Sequence, residues 1–338
     1  MSPNSPHPAP TLEAVARAAG VSRATASRVV RGDVHVTGPK ADAVHRAVVD
    51  LGYVPNRAAR SLVTRSTDAI ALVVPESGDR IFSDPFFATA VAGITERLAL
   101  IEKQLLLIMA GRGEGPDRIR RFVHGGHVDG MILLSHHEGD PLLEVLAEAS
   151  VPMVHFGRPP AGRTALFADV DNTEGGRLAG RHLFSVGRRR LALISGSPDM
   201  GAAVDRRAGF LEVAATLGAE ICAVEEGGFT LSGGEAAMDR LLRSGRSFDG
   251  LFAANDLMAI GALRRLHAAG VRVPDDVALI GFDDIAVAGD PINALTTIVN
   301  PVQRVGAATV ELLLDAIAGV DRSPVIVRDL ALRLRRTA

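Results

Sequence analysis

Two periods of apolar residues divide this chain. Up to Ser66 they recur at helical spacing, whereas from Asp68 onward they come mostly as short unbroken runs. In the first part, Leu12, Val15, Ala16 and Ala19 share one side of a helix that Thr11 can cap, and Gly20 suits the left-handed turn that ends it. Ser22 can cap a second helix running on from Arg23. At 100° per residue its Ala26, Val29 and Val30 lie on one side, with Ala24, Ser27, Arg28 and Arg31 on the other. Val21 would plug the junction. Val44, Ala47, Val48 and Leu51 supply a third helical stripe that closes a core of small residues. The pattern predicts a helix-turn-helix whose second helix packs with one face and presents donors with the other.

Beyond Asp68, the runs at 69–74, 104–110, 129–135 and 151–156 predict buried parallel strands of one α/β lobe, and those at 191–195, 249–254 and 277–282 a second. Lobes of this kind bind ligands at the carboxyl ends of their strands. Asn255 and Asp256, Asp283 and Asp284, and Asp171 and Asn172 follow directly on apolar runs. Carboxylates and amides there can chelate vicinal hydroxyls of a sugar or the edges of a base, and Arg206 in DRRAGF offers a donor fork. Asp171, Asp256 and Asp284 serve equally well as helix caps.

Charge sharpens the division. Residues 1–66 carry nine Arg and Lys against four acids, a net +5, while the remainder carries 28 against 35, a net −7. A basic module on an acidic body suits a polyanionic partner and limits indiscriminate sticking. With 338 residues, 47% hydrophobic and 22% charged, the chain exceeds one average domain and is globular. Cys222 stands alone, no basic-then-apolar leader opens the chain, and no run of apolar residues would span a membrane, so a cytoplasmic protein is expected. Metal and cofactor chemistry find no foothold. GxGxxG, HExxH and GxxxxGK[ST] are absent, Lys40 and Lys103 are the only lysines, and HHEGD at 136–140 reads as a solvated loop. A non-enzymatic protein without cofactor follows. The stretch PNRAARSLV at 55–63 is too short to be a stable helix alone and could equally be a flexible linker.

TLEAVARAAGVSRATASRVVRG followed by LGYVPNRAARSL resembles the DNA-binding headpiece and hinge of the LacI/GalR family of bacterial transcription regulators. VDNTEGGRLAGRHLFSVGRRRLALISG, DRRAGF, FAANDLMAIGALRRLHAAGVRVPDDVALIGFDD and LTTIVNPVQRVG resemble that family's effector-binding core, in the family's order. The resemblance covers nearly everything after residue 10, leaving 1–10 as an expected disordered tail, and implies an all-α helix-turn-helix domain (11–55), a hinge helix and linker (56–66), and an α/β core of two doubly wound lobes like those of periplasmic sugar-binding proteins (67–338). Arg23, Ala24 and Arg28 would then face base edges, with Thr25, Ser27 and Arg31 on phosphates. In the hinge, Asn56 would cap, Arg57 and Arg60 would supply cations, and Leu62 would be the apolar wedge in the minor groove. Lys40-Ala41 stands where the family usually has Thr-Arg, so Lys40 would supply a phosphate contact; Ala26 and Arg31 replace the common Val and Asn. Arg206, Asn255 and Asp283 would touch the effector, with Phe229 as a stacking platform and Phe86 or Phe87 closing the other lobe.

The function implied is a homodimeric repressor on a near-palindromic double-stranded DNA operator, released by a sugar or sugar derivative. A corepressor-dependent regulator responding to a purine or nucleoside is the second reading. A DNA-binding head fused to a sugar-processing enzyme is the third.

Overall fold

The computed structural model describes residues 10–30, 36–54, 66–111, 116–159 and 165–338. Arg31, the hinge positions Asn56, Arg57, Arg60 and Leu62, and residues 1–9 of the expected tail lie outside the described residues. The chain forms two compact units, Met1–Thr67 and Asp68–Ala338.

In the first unit, α1 (Leu12–Ala18), α2 (Arg23–Val30) and α3 (Pro39–Leu51) enclose Val15, Ala16, Ala26, Val29, Ala41, Val44 and Ala47. Thr11 Oγ1 accepts from the Ala14 amide at 3.2 Å and Ser22 Oγ from the Thr25 amide at 3.1 Å, so both expected caps are in place. Gly20 takes a positive φ of 65° between the two helices. Leu51 departs from expectation. It is 37% exposed, because the left-handed Gly52 turns the chain back, Tyr53 N–H donates to the Val48 carbonyl at 3.0 Å, and Tyr53 packs on the core instead.

The second unit holds two six-stranded sheets. The first lobe is built on β1 (Ala69–Val74), β2 (Gln104–Met109), β3 (Gly130–Leu134), β4 (Met153–Phe156) and β5 (Phe167–Val170), with α4 (Gly78–Ser83), α5 (Pro85–Ala99), α6 (Pro116–His124) and α7 (Pro141–Ala147). The second is built on β6 (Arg190–Ser195), β7 (Glu220–Glu226), β8 (Gly250–Ala253), β9 (Ala278–Asp283) and β10 (Thr296–Val299), with α8 (Asn172–Ser185), α9 (Gly201–Leu217), α10 (Leu231–Arg243) and α11 (Asp256–Ala268). The chain then returns: α12 (Val302–Ile317) packs on α5, β11 (Val325–Val327) pairs with β5, and β12 (Ala331–Arg333) pairs with β10. The strand orders are β11-β5-β4-β3-β1-β2 and β12-β10-β9-β8-β6-β7, parallel except for β12. Three crossings therefore join the lobes, at Asp171, at Asn300–Pro301 and at Arg328–Leu330.

Central strands are buried as the apolar runs require, β1 and β3 along their whole length. β2 corrects the expectation of a buried strand. It lies at the sheet edge with Leu106, Leu107 and Met109 38–42% exposed, because continuous apolarity in a run does not by itself distinguish a central strand from an edge strand.

Candidate functional site

On the headpiece, Arg23, Ala24 and Arg28 of α2 are exposed, while Thr25 and Ser27 are half-buried at its flank. Arg23 Nε lies 2.6 Å from Glu13 of α1, an exposed pair that a stronger acceptor can displace at little cost. Thr25 Oγ1 is 2.9 Å from Ser22 Oγ. Lys40 is exposed in the first turn of α3, just after Pro39.

In the second unit a cavity lies between the lobes at the carboxyl ends of their strands, the place where sheets of this kind take small ligands. All six residues expected at the effector, Phe86, Phe87, Arg206, Phe229, Asn255 and Asp283, line it. Their roles differ. Phe87 is 2% exposed and part of the first-lobe core, whereas Phe86 is half-buried and meets the Phe156 ring edge-on at 6.0 Å, so Phe86 offers the face. Phe229 holds a φ of 60°, and a side chain at Gly196 would fall 2.1 Å from its ring; the glycine makes room for the platform.

Arg206 is caged. Its Nε donates to Asn172 Oδ1 at 2.9 Å, its Nη1 to the Ala254 carbonyl at 2.6 Å, and its guanidinium stacks on Phe282 at 3.5 Å from the ring centre. The remaining Nη2 lies 3.7 Å from Asp283 Oδ1, which also accepts from Asn300 at 2.9 Å. Close packing of α8 on α9 sets this geometry: a side chain at Gly176 would meet the Arg206 carbonyl at 2.0 Å, and one at Gly209 the Thr173 carbonyl at 1.9 Å. Burial works against both charges, lowering Arg206 and raising Asp283, and each is the other's leading compensation. Asn255 has a structural task besides lining the cavity, since its Oδ1 caps α11 through the Met258 amide and its Nδ2 donates to the Phe229 carbonyl.

The alternatives open for three aspartates close differently. Asp171 caps α8, Asp284 pairs with Arg333 and Arg335, and the fully buried Asp256 accepts from the Ile285 amide and Thr297 Oγ1. Burial pushes Asp256 well above the ordinary carboxylate value.

Several cavity residues carried no sequence signal. Asp84 caps α5 at the Phe86 amide; burial pushes its carboxyl up to about 6, and Asp283 across the cavity adds to the rise. Asp169, raised by burial to about 6, accepts from the Arg158 and Val170 amides. Arg158 makes a two-pronged bridge to Asp205 of α9 at 2.8 and 2.7 Å, joining the lobes, and Arg80 donates to the Gly228 carbonyl at 3.4 Å while lying 3.6 Å from Glu76.

HHEGD is not a solvated loop. His136 and His137 are 4% and 2% exposed, and only Glu138 and Gly139 reach solvent, because the second lobe covers the strand end. His136 Nε2 donates to the Arg158 carbonyl, and burial depresses its pKa to about 4. Among the described residues no cluster of His, Cys, Asp and Glu could hold a metal, and no helix is long and apolar enough to cross a membrane.

Residues 11–56 match the pattern of bacterial regulatory proteins of the lacI family, and residues 181–337 that of the periplasmic binding protein-like domain. The HTH-type transcriptional regulator CelR of Thermobifida fusca is 44% identical over 94% of each chain. A CelR–cellobiose complex superposes with a TM-score of 0.77 at 40% identity, covering 97% of this chain and all of that one. The Lac repressor dimer bound to operator and the anti-inducer ONPF superposes at 0.85 with 27% identity, covering 97% of this chain and 98% of that one. With a helix-turn-helix ahead of a two-lobed cleft, and with CelR matched along nearly its whole length, the chain belongs to the lacI family of bacterial regulatory proteins.

Proposed function

We propose that this protein is a cytoplasmic, homodimeric repressor that binds a near-palindromic operator and releases it when a neutral sugar of disaccharide size, of which cellobiose is the first to test, fills the cavity between its lobes. The observation that carries the effector class is the wall around Arg206: Asp283 faces its Nη2, with Asn255 and Phe229 beside it and Phe86 and Asp84 on the opposite lobe. Each cation lining the cavity already faces a carboxylate, Arg206 with Asp283, Arg158 with Asp205 and Arg80 with Glu76. Such a site offers hydroxyl-binding groups and aromatic faces without a free positive charge for a phosphate or carboxylate. The CelR complex with cellobiose supports the same class, and a purine or nucleoside effector has less support.

At the operator, Arg23 fits a guanine O6/N7 pair, Ala24 a thymine methyl, and Arg28 the same groove, while Thr25, Ser27, Arg31 and Lys40 serve phosphates. The hinge at 56–63 persists as a helix only where two copies meet in the minor groove, with Leu62 unstacking a base step. An effector that prefers the lobe angle at which the hinges separate melts them. By linkage, operator and effector weaken each other by one factor, about 5- to 150-fold for a coupling of about 1–3 kcal/mol.

Calorimetry with cellobiose, beside operator titration by fluorescence anisotropy on the chain's own upstream region, tests this. Cellobiose is expected to bind and to weaken operator binding, and Asp283→Ala to keep the operator while ignoring cellobiose. Tightening of the operator by cellobiose would install the corepressor reading instead. Turnover of the sugar would install the enzyme reading.

A further inference from the structure

His137 stands at the junction of the lobes, outside the set that faces the effector. It follows β3 of the first lobe, is 2% exposed, and has both ring nitrogens occupied by carboxylates. Nε2 lies 3.1 Å from Glu76 Oε1 on the loop after β1, and Nδ1 lies 3.0 Å from Asp199 Oδ1 on the second-lobe loop before α9. An imidazole between two ionised acceptors has both nitrogens protonated. Glu76 is held ionised: burial raises it, but the bond from His137, the Arg80 charge and the bond from Ser135 together bring it below its ordinary value. The Glu138 amide adds a bond to the Asp199 carbonyl at 2.9 Å.

We propose that His137 is a positioning residue for the effector: clasped as an imidazolium between Glu76 of one lobe and Asp199 of the other, it holds the lobes together over the cavity, and its deprotonation loosens that hold and weakens effector binding. The proposal rests on reading the cavity as the effector site. Asp199 is two residues ahead of α9, which carries Asp205, the partner of Arg158, and Arg206. The segment that the clasp grips is therefore the one that positions the main effector contact.

The sign follows from which contacts opening breaks. Burial opposes the imidazolium, but the bonds and charges of Glu76 and Asp199 outweigh it, so His137 lies above the ordinary histidine value with the lobes together. Opening takes away the bond and charge of Asp199, which favour the imidazolium, and exposes the ring, which favours it too; we take the loss of Asp199 to be the larger effect, so that the open form holds the proton less tightly. The clasp is complete below the open-form value and is lost as pH rises through the closed-form value. The other charged groups facing the ring are Arg80, through Glu76, and His136, which burial keeps neutral at physiological pH; Glu138 beside it is exposed. Asp84 and Asp169 also titrate near 6 at the cavity, but they are common to wild type and to a clasp variant.

The test compares the full-length wild type with Asp199→Asn, whose amide oxygen still accepts from a neutral ring but carries no charge, and with Glu138→Gln as a control. Histidine-selective NMR, with the resonance assigned through His137→Gln, follows the ring, and calorimetry follows cellobiose between about pH 6 and pH 9. In wild type and in the control, His137 is expected to titrate above an ordinary histidine, and cellobiose affinity to fall roughly tenfold across that titration, the loss of one charged hydrogen bond. In Asp199→Asn the ring is expected to titrate lower and that part of the pH dependence to vanish. An ordinary or lowered His137 titration in wild type, or equal pH profiles in wild type and Asp199→Asn, would overturn the proposal. Failure of wild type to bind cellobiose at any pH would remove the effector reading, and with it the role of His137 in that binding, whatever the ring titration shows.

Discussion

Arg23 and Lys40 carry the same charge at different places on the headpiece, Arg23 at the start of the outward face of α2 and Lys40 in the first turn of α3. A forked guanidinium reads a base edge, whereas an ammonium serves a phosphate as a point charge. Arg23→Ala is therefore expected to cost about 1–3 kcal/mol at one base position and to relax the preference there, while Lys40→Ala weakens all sequences alike and flattens the salt dependence. Anisotropy titrations on a panel of single-base operator variants at several salt concentrations decide; equal losses on operator and random DNA for both substitutions would refute this division. At the cavity, Asn255 and Asp283 were legible because polar residues following an apolar run mark a strand's carboxyl end, whereas Arg206, inside α9, stood out only through the DRRAGF motif and the family it resembles. Asp84, Arg158 and the His137 clasp were not. Charged residues in short loops look solvated in a sequence, and the partners that Arg158 and His137 meet on the opposing lobe, Asp205 and Asp199, lie far along the chain.

Helix pairing shows what a sequence pattern leaves open at the next scale. The glycines of NTEGGRLAG and DRRAG were visible as residues, but that Gly176 and Gly209 bring the backbones of α8 and α9 together depends on both helices lying on the same sheet. This contact places Asn172 against Arg206. Gly209→Ala sets a methyl against the Thr173 carbonyl and is expected to destabilise the core unit by about 1–3 kcal/mol, the usual cost of overpacking, and to weaken cellobiose binding by displacing Arg206. Thermal unfolding and calorimetry on the same preparation check both effects. Unchanged stability together with unchanged affinity would show that the helices can separate freely.

For the whole molecule, three chain crossings joining two lobes constrain their relative motion to a hinge-like change around the cavity, the geometry that an effector gripping both lobes can bias. The exposed apolar side chains of β2, with Leu100 79% exposed just ahead of it, lie along one edge of the first-lobe sheet that a second copy would cover. Sedimentation equilibrium at micromolar concentration is expected to give twice the chain mass of 35.4 kDa, and Leu107→Asp to shift the protein toward monomer and weaken operator binding. A wild-type monomer would contradict the dimer, and an unaffected Leu107→Asp dimer would move its interface elsewhere.

The sequence by itself determined the headpiece helices and their caps, the central strands, the charge division and the second-lobe strand ends that carry Asn255 and Asp283, because each is written in local composition and spacing: 3.6 residues per helical turn, a cap beside its helix, a polar residue after a buried strand. Tertiary structure decided the rest. α12 and β11 return to a lobe that the chain left at Asp171, β2 became an edge, Phe87 went to the core while Phe86 kept a face, and two histidines of an outwardly polar pentapeptide were sealed between the lobes. In each case the deciding partner is far away along the chain or on the opposite lobe, and burial and pairing are properties of what a residue meets rather than of its neighbours in sequence.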